Sequence, residues 1–182
     1  MGSLRKKDNA VDPQGEFPTT PADYFFYLQF QAVRLRDAIL ERAIAATGLN
    51  LQRWRMLAVI RRIQDCSMKE LALFTAIDRT TLTRAVDQLV AQELVVRWSP
   101  AGDRRRVHLA LTPKGEAAYE AAADVLRRES EAMLRGVDGT RLGEAIRLQQ
   151  DVLRNLAADP LEAERLIGFG PPPRRRSRAR QI

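Results

Sequence analysis

Apolar positions recur with helical spacing along most of this chain and switch to strict alternation in one short central stretch. Between residues 22 and 47 two apolar stripes run side by side. One is Phe25, Leu28, Ala32, Leu35, Ile39, Ala43 and Ala46; the other is Phe26, Phe30, Val33, Leu40 and Ile44. A surface helix needs one stripe, so two predict a helix covered on two sides, by its own domain and by a second subunit. Gly48 ends it and Asn50 is placed to cap the next helix, 51–65, which carries Leu51, Trp54, Leu57, Ala58 and Ile60 near one face.

Ser67 and Glu70 have capping-box spacing and open a short helix to about Phe74. Thr75 to Ile77 make a turn. Asp78 then caps a helix to about Gln92, with Leu82, Ala85, Val86, Leu89 and Val90 inward. The period next changes to two. Leu94, Val96 and Trp98 fall on one side of a first strand, and Val107, Leu109 and Leu111 alternate along a second. A loop around Pro100-Ala101-Gly102 joins them. Thr112 and Pro113 suit the N-cap and first position of a long helix to about Arg135. After Gly136 and Gly139 a last helix, 140–158, sets Leu142, Ala145, Ile146, Val152, Leu153 and Leu156 on one face.

The pattern predicts a mainly α fold with a small β-hairpin wing: a winged helix-turn-helix flanked by long N- and C-terminal helices. Residues 1–20, with Gly2, Pro13, Gly15 and Pro18 and no periodicity, read as a flexible arm. The folded domain is expected over 21–158, its DNA-binding core over about 50–112 and its dimerisation helices over 22–47 and 113–158. Residues 159–182 are Pro- and Arg-rich with little to bury and read as a disordered tail.

Composition narrows the function. The 182 residues are 45% hydrophobic, enough for a core, and carry a formal net charge of +7. Five of those charges are Arg174, Arg175, Arg176, Arg178 and Arg180, which leaves +2 for the rest. Bulk charge is therefore weak evidence for a polyanionic partner, and the local pattern has to carry the claim. The arginine-rich end fits phosphate contacts through counterion release and equally a solubilising terminus. The single Cys66 excludes an internal disulfide framework. No apolar run approaches a membrane span, and the basic N-terminus has no apolar stretch behind it, so a soluble cytoplasmic protein is expected, with no membrane partner.

The helix 78–92 leaves Arg79, Thr80, Thr81, Thr83 and Arg84 on the outer side of its first two turns. Hydroxyl side chains let a helix approach DNA closely, and arginine makes the bidentate guanine contact. A solvated helix face with an aspartate cap would look the same in isolation. At the hairpin tip Asp103 precedes Arg104, Arg105 and Arg106. A guanidinium there suits a narrow minor groove, where the potential is most negative. A charged, merely soluble hairpin tip is the alternative.

Together these segments resemble the MarR family of regulators. Asp103-Arg104-Arg105 followed by Leu109-Ala110-Leu111-Thr112-Pro113-Lys114-Gly115 is similar to that family's wing motif, D-x-R then L-x-L-T-x-x-G. Leu71-Ala72 and Asp78 to Arg84 resemble its helix-turn-helix, and Leu49-Asn50 with Trp54 and Leu57 its second helix. The likeness spans roughly residues 24 to 158. It implies an obligate homodimer joined by the first and last helices, double-stranded DNA with a near-palindromic operator as partner, and a repressor released by a small aromatic or anionic effector. Two positions depart from the pattern. Glu93 stands where the family often has glycine, and implies strain of about 1 kcal/mol if φ is positive there. Arg53 stands where glutamine is frequent.

For the effector, the available residues are Tyr27, Phe30, Arg34, Trp54 and Arg55, with Tyr24 beside them: an arginine near aromatic rings can hold a carboxylated ring. The same residues at helical spacing also suit core or dimer packing. Cys66 fits a small buried side chain better than a redox sensor, since no second cysteine could resolve a sulfenate. His108, the single histidine, lies on the outer side of a strand. One histidine and one cysteine without ligand spacing give neither a zinc site nor a catalytic triad, so no cofactor or metal and no enzyme is expected. A winged-helix module that docks proteins without reading DNA is the competing function.

Overall fold

The computed structural model describes residues 18–99 and 107–170, which form seven α-helices and three short strands. Helix α1, Pro21–Ile44, starts at a capping box in which the Thr20 hydroxyl accepts from the Asp23 amide and Asp23 Oδ2 accepts from the Thr20 amide. It stops three residues earlier than the apolar stripes imply. Ala45–Thr47 tighten into a 3-10 turn, and Gly48, at φ 76°, reverses the chain. The Asn50 side chain caps α2, Leu51–Arg62, by accepting from the Arg53 amide. Strand β1, Cys66–Ser67, leads directly into α3, Met68–Thr75, through the Ser67–Glu70 capping box. Helix α4 spans Arg79–Ala91.

Strands β2, Val95–Trp98, and β3, His108–Leu111, are antiparallel, and β1 pairs with the other edge of β3. Their phase corrects the expected one. Val95 is buried at 1% exposure, whereas Val96 is 45% exposed. The cause is Glu93, whose φ of 58° turns the backbone just before the strand. Leu94 is buried from that turn rather than from the ladder, and within the strand Val95 is buried while Val96, Arg97 and Trp98 are exposed.

Helix α5, Pro113–Met133, leads away from the sheet; α6, Gly139–Leu156, comes after a short turn. A seventh helix, α7, spans Pro160–Gly168. It lies in the segment expected to lack structure. Asp159 caps it, Pro160 occupies its first turn, and Ala163 is 1% exposed. Leu166, Ile167 and Phe169 give it enough apolar surface to dock, which a composition dominated by the arginines after it conceals. Of the expected arm 1–20, residues 1–17 lie outside the described residues, as do residues 171–182, while Thr20 is ordered as the α1 cap.

One core joins these elements. Leu40 and Ile44 of α1 meet Met56, Leu57 and Ile60 of α2, Leu71 of α3, Leu82, Val86 and Leu89 of α4, Leu109 of β3, and Ala122 and Leu126 of α5. Burial of each large aliphatic side chain contributes about 1.5–3 kcal/mol. Trp54 stacks on Tyr119 with rings 5.9 Å apart, fastening α2 to α5, and the Arg61 guanidinium lies 4.8 Å from the same tyrosine ring while pairing with Glu116. The N-terminal half of α1 and most of α6 stay outside this core. Phe30 is 63% exposed, and α6 has no buried residue. No helix among the described residues is long and apolar enough to cross a membrane.

Candidate nucleic-acid interface

Helix α4 is fixed from beneath by Leu82, Val86 and Leu89, all fully buried. Arg79, Thr80, Thr81, Thr83 and Arg84 are all exposed. At 100° per residue, Thr80 and Arg84 point directly away from the buried stripe, Thr81 and Thr83 flank them, and Arg79 sits at the very start of the helix. The Thr83 hydroxyl donates to the Arg79 carbonyl at 2.9 Å, which leaves its methyl and its lone pairs for an incoming partner.

The helix start is already partly occupied. Asp78 Oδ1 accepts from the Thr80 and Thr81 amides, both at 3.0 Å. The Thr81 side chain, then the backbone amides, hold the Asp78 carboxyl below the usual carboxylate range. Those two N–H groups are thus used by the cap, and an anion at this end meets mainly side chains.

Two braces set the orientation of α4. Arg53 of α2 donates to Gln88 at 3.0 Å and to Gln92 at 3.4 Å, so the arginine that departs from the glutamine pattern fastens α2 across to α4. Arg97 of β2 pairs with Asp87 of α4 at 2.6 Å and holds the wing stem against the helix. The stem is regular, from Val95 opposite Leu111 to Trp98 opposite His108, and the last pair stacks with rings 5.0 Å apart. The tip residues Asp103, Arg104 and Arg105 lie outside the described residues.

The base of the wing explains the L-x-L-T-x-x-G spacing. The Thr112 side chain caps α5 by accepting from the Gly115 amide at 2.9 Å, and its hydroxyl donates to the Glu93 carbonyl at 2.6 Å. The Thr112 amide donates to the Leu94 carbonyl. This brings α5 so close to β2 that a Cβ on Gly115 would lie 2.0 Å from the Leu94 carbonyl oxygen. Only glycine fits there.

Residues 47–106 match the MarR family profile. The HTH-type transcriptional regulator FarR of Neisseria gonorrhoeae is 31% identical over 128 residues, covering 69% of this chain and 85% of that protein. The chain belongs to the MarR family. The HTH-type transcriptional repressor NicR of Pseudomonas putida is 29% identical, over 70% of this chain and 80% of that one. A MarR family regulator of Silicibacter pomeroyi superimposes with a TM-score of 0.65 at 26% identity, over 76% of this chain and 93% of that one. The protein is a transcriptional regulator, not an enzyme.

In this MarR-family chain a cavity of about 840 Å³ opens between α1, α2 and α5. Leu35, Arg36 and Ile39 line it from α1, Trp54 from α2, and Tyr119, Asp124, Arg127 and Ser130 from α5. Of the residues expected at an effector site it contains Trp54 only. Tyr27, Phe30 and Arg34 lie on the opposite face of α1, about half a turn from Leu35, Arg36 and Ile39. Tyr27 stacks on Tyr24, and Arg34 donates to Gln31. Arg55 pairs with Asp37 at 2.7 Å. Tyr119, Arg36 and Arg127 approach Trp54 only through the fold; Trp54 and Tyr119 are far apart in sequence, and no local spacing marks them. The Trp54 indole N–H is buried with no hydrogen-bond partner among the described residues.

Cys66 is fully buried, and burial, then the Glu70 charge, pushes its thiol up to about 12. That suppresses the thiolate on which redox sensing depends. His108 Nδ1 lies at hydrogen-bond distance from the Asp65 carbonyl. No group of three metal-ligating side chains occurs among the described residues.

Proposed function

We propose that the protein is a homodimeric repressor that reads a near-palindromic operator with α4 and the wing and leaves it when a small aromatic or anionic ligand enters the cavity between α1, α2 and α5. The observation that carries the DNA reading is the outer face of α4. Thr80, Thr81 and Arg84 project from a helix whose opposite side is locked into the core and whose roll is braced by Arg53 and Arg97. Such a helix offers side chains to base edges without the cost of ordering them first. Arg79, with Arg104 and Arg105 on the wing, supplies phosphate and minor-groove contacts, and Asp103 orients one wing arginine.

The dimer is supported by the apolar surface that one chain leaves open. Phe26, Phe30 and Val33 on α1 and Ile146 and Leu148 on α6 are all at least 44% exposed. Two-fold pairing along these helices would cover them and set the two α4 helices on successive turns of one DNA face, about 34–36 Å apart. Tyr27, Phe30 and Arg34 then belong to the subunit interface rather than to the ligand. Repression is inferred from NicR, a relative named as a repressor. For the effector, an unpartnered indole N–H beside Tyr119, Arg36 and Arg127 suits a carboxylated aromatic ring.

Base selection from randomised duplexes with Arg84→Ala tests the reading face. The variant should lose preference at particular base pairs, with a cost of about 1–3 kcal/mol on the parent site. Unchanged base preferences would make Arg84 a phosphate contact and remove the assigned reading face. Binding that an unrelated competitor duplex abolishes equally would favour a module that does not read sequence.

A further inference from the structure

Helices α5, α6 and α7 form a closed brace. Helix α5 runs out from the wing base at Gly115, α6 follows after a short turn, and α7 ends against α3, so the chain comes back to the helix-turn-helix it left. The closing joint is built from several contacts. Phe169 at the end of α7 stacks on Phe74 of α3 with rings 4.5 Å apart, while the Arg62 guanidinium of α2 lies 5.7 Å from the Phe169 ring centre and donates to the Gly170 carbonyl. Arg165 of α7 donates to Glu70 Oε1 at 3.4 Å, the oxygen that the Ser67 capping box leaves free. On the other side Arg154 of α6 pairs with Glu164 of α7 at 2.7 Å, and Leu153 and Leu156 face Leu166 and Ile167 across an apolar groove.

Helix α6 needs this joint. The other open apolar face, on α1, is tied to the core through Leu40 and Ile44, so Phe26 and Phe30 move with the core. Helix α6 buries no residue of its own, whereas Ala163 of α7 is 1% exposed. The 18 residues of α6 span about 27 Å, so a swing of about 7° at the α5–α6 turn moves its far end by about 3.4 Å, one base-pair step. A dimer formed through α6 would pass that error on to the distance between its two α4 helices. Phe74 stands one residue before the end of α3 and four before the Asp78 cap, so the joint closes just ahead of the recognition helix.

We propose that α7 is a strut that holds α6 at a fixed angle to the helix-turn-helix and so sets the half-site spacing that the dimer accepts, with Phe169 as its positioning residue. The inference rests on the DNA-reading dimer proposed above. Two kinds of specificity are thereby separated: the outer face of α4 chooses bases, and α7 chooses how far apart two copies of them must lie. An aromatic pair contributes about two- to tenfold to an equilibrium, so losing this one loosens the angle and leaves the main core standing.

The test uses the full chain and a library of duplexes in which two inverted half-sites, taken from wild-type selection, stand about 8 to 12 base pairs apart, centre to centre. Wild type should enrich one spacing. Phe169→Ala should keep the half-site bases but accept neighbouring spacings, its preference for the parent spacing over one shifted by a base pair falling by about two- to tenfold. Phe169→Tyr keeps the ring and should select as wild type does. Arg62→Gln, at an exposed side chain of α2, should move selection in the same direction as Phe169→Ala, and it decides the matter where circular dichroism shows the alanine variant unfolded. An unchanged spacing preference in the folded variant overturns the strut alone. Loss of base preference within each half-site overturns it too, by making α7 a support for the fold of α3 and α4. Wild-type selection of no paired site overturns the dimeric reading above, and the strut with it.

Discussion

Gly115→Ala probes the joint on which the wing depends. The added Cβ would sit 2.0 Å from the Leu94 carbonyl oxygen and 3.0 Å from its carbonyl carbon. Ordinary contacts begin above about 3 Å, so α5 and the root of β2 must separate by about 1 Å or more. Both obstructing atoms are backbone, and no side-chain rotation relieves them. Overpacking of this kind costs about 1–3 kcal/mol. The opening also stretches the Thr112 amide bond to Leu94 and the Thr112 hydroxyl bond to Glu93, worth about 1 kcal/mol each. A total of about 3–5 kcal/mol should lower the melting temperature by roughly 6–20 °C for a domain of this size. Differential scanning calorimetry reads it directly. Gly139→Ala is the control, since an added Cβ there meets nothing within 4 Å and lies at the start of a helix. A Gly115→Ala protein that melts within about 1 °C of wild type would refute the argument that backbone approach dictates this glycine.

Glu93 holds φ at 58° and its carboxylate is an exposed partner of Lys114, so Glu93→Gly should be neutral or stabilising by up to about 1 kcal/mol, whereas Glu93→Val should destabilise by at least about 1–2 kcal/mol; urea titration in which valine matches glycine would sink the strain account. The Ser67 amide, then its hydroxyl, and the nearby Arg165 hold the Glu70 carboxyl below its ordinary 4.5. Its stabilisation is complete above that value and fades as pH falls through the lower folded-state value, so Glu70→Gln should flatten the loss of stability below pH about 4.5; equal acid sensitivity in the two proteins would contradict it. Phe30→Asp touches no core in a single chain, being 63% exposed, but would bury an unpaired carboxylate in the proposed dimer at a cost of several kcal/mol. Light scattering should report half the wild-type mass with the circular dichroism of a folded protein, and an intact dimer would place the interface elsewhere.

Local chemistry was the legible part of this sequence. Asn50, Ser67 with Glu70, Asp78 and Thr112 each announce a helix start, and each makes its cap bond. The buried stripe of α4 was equally readable, and its complement marks the candidate DNA face from sequence alone. Three features escaped, for different reasons. The phase of β2 depends on the positive φ of Glu93, which consumes one residue before the ladder begins. Helix α7 is nine residues whose apolar positions are diluted by neighbouring proline and arginine. The cavity depends on contacts between α1, α2 and α5, so Tyr119 and Arg127 carry no signal until the chain is folded. Of the aromatic residues that carry a local signal, Trp54 lines the cavity, whereas Tyr27 and Phe30 lie on the outward face of α1.

If α4, presented twice, reads DNA sequence, in vitro selection of randomised duplexes by the wild-type chain at physiological salt should enrich one consensus. It should hold two inverted half-sites whose centres lie about 10 base pairs apart, matching two recognition helices on one face of the duplex. Enrichment of no consensus, or of a single unpaired half-site, would contradict it.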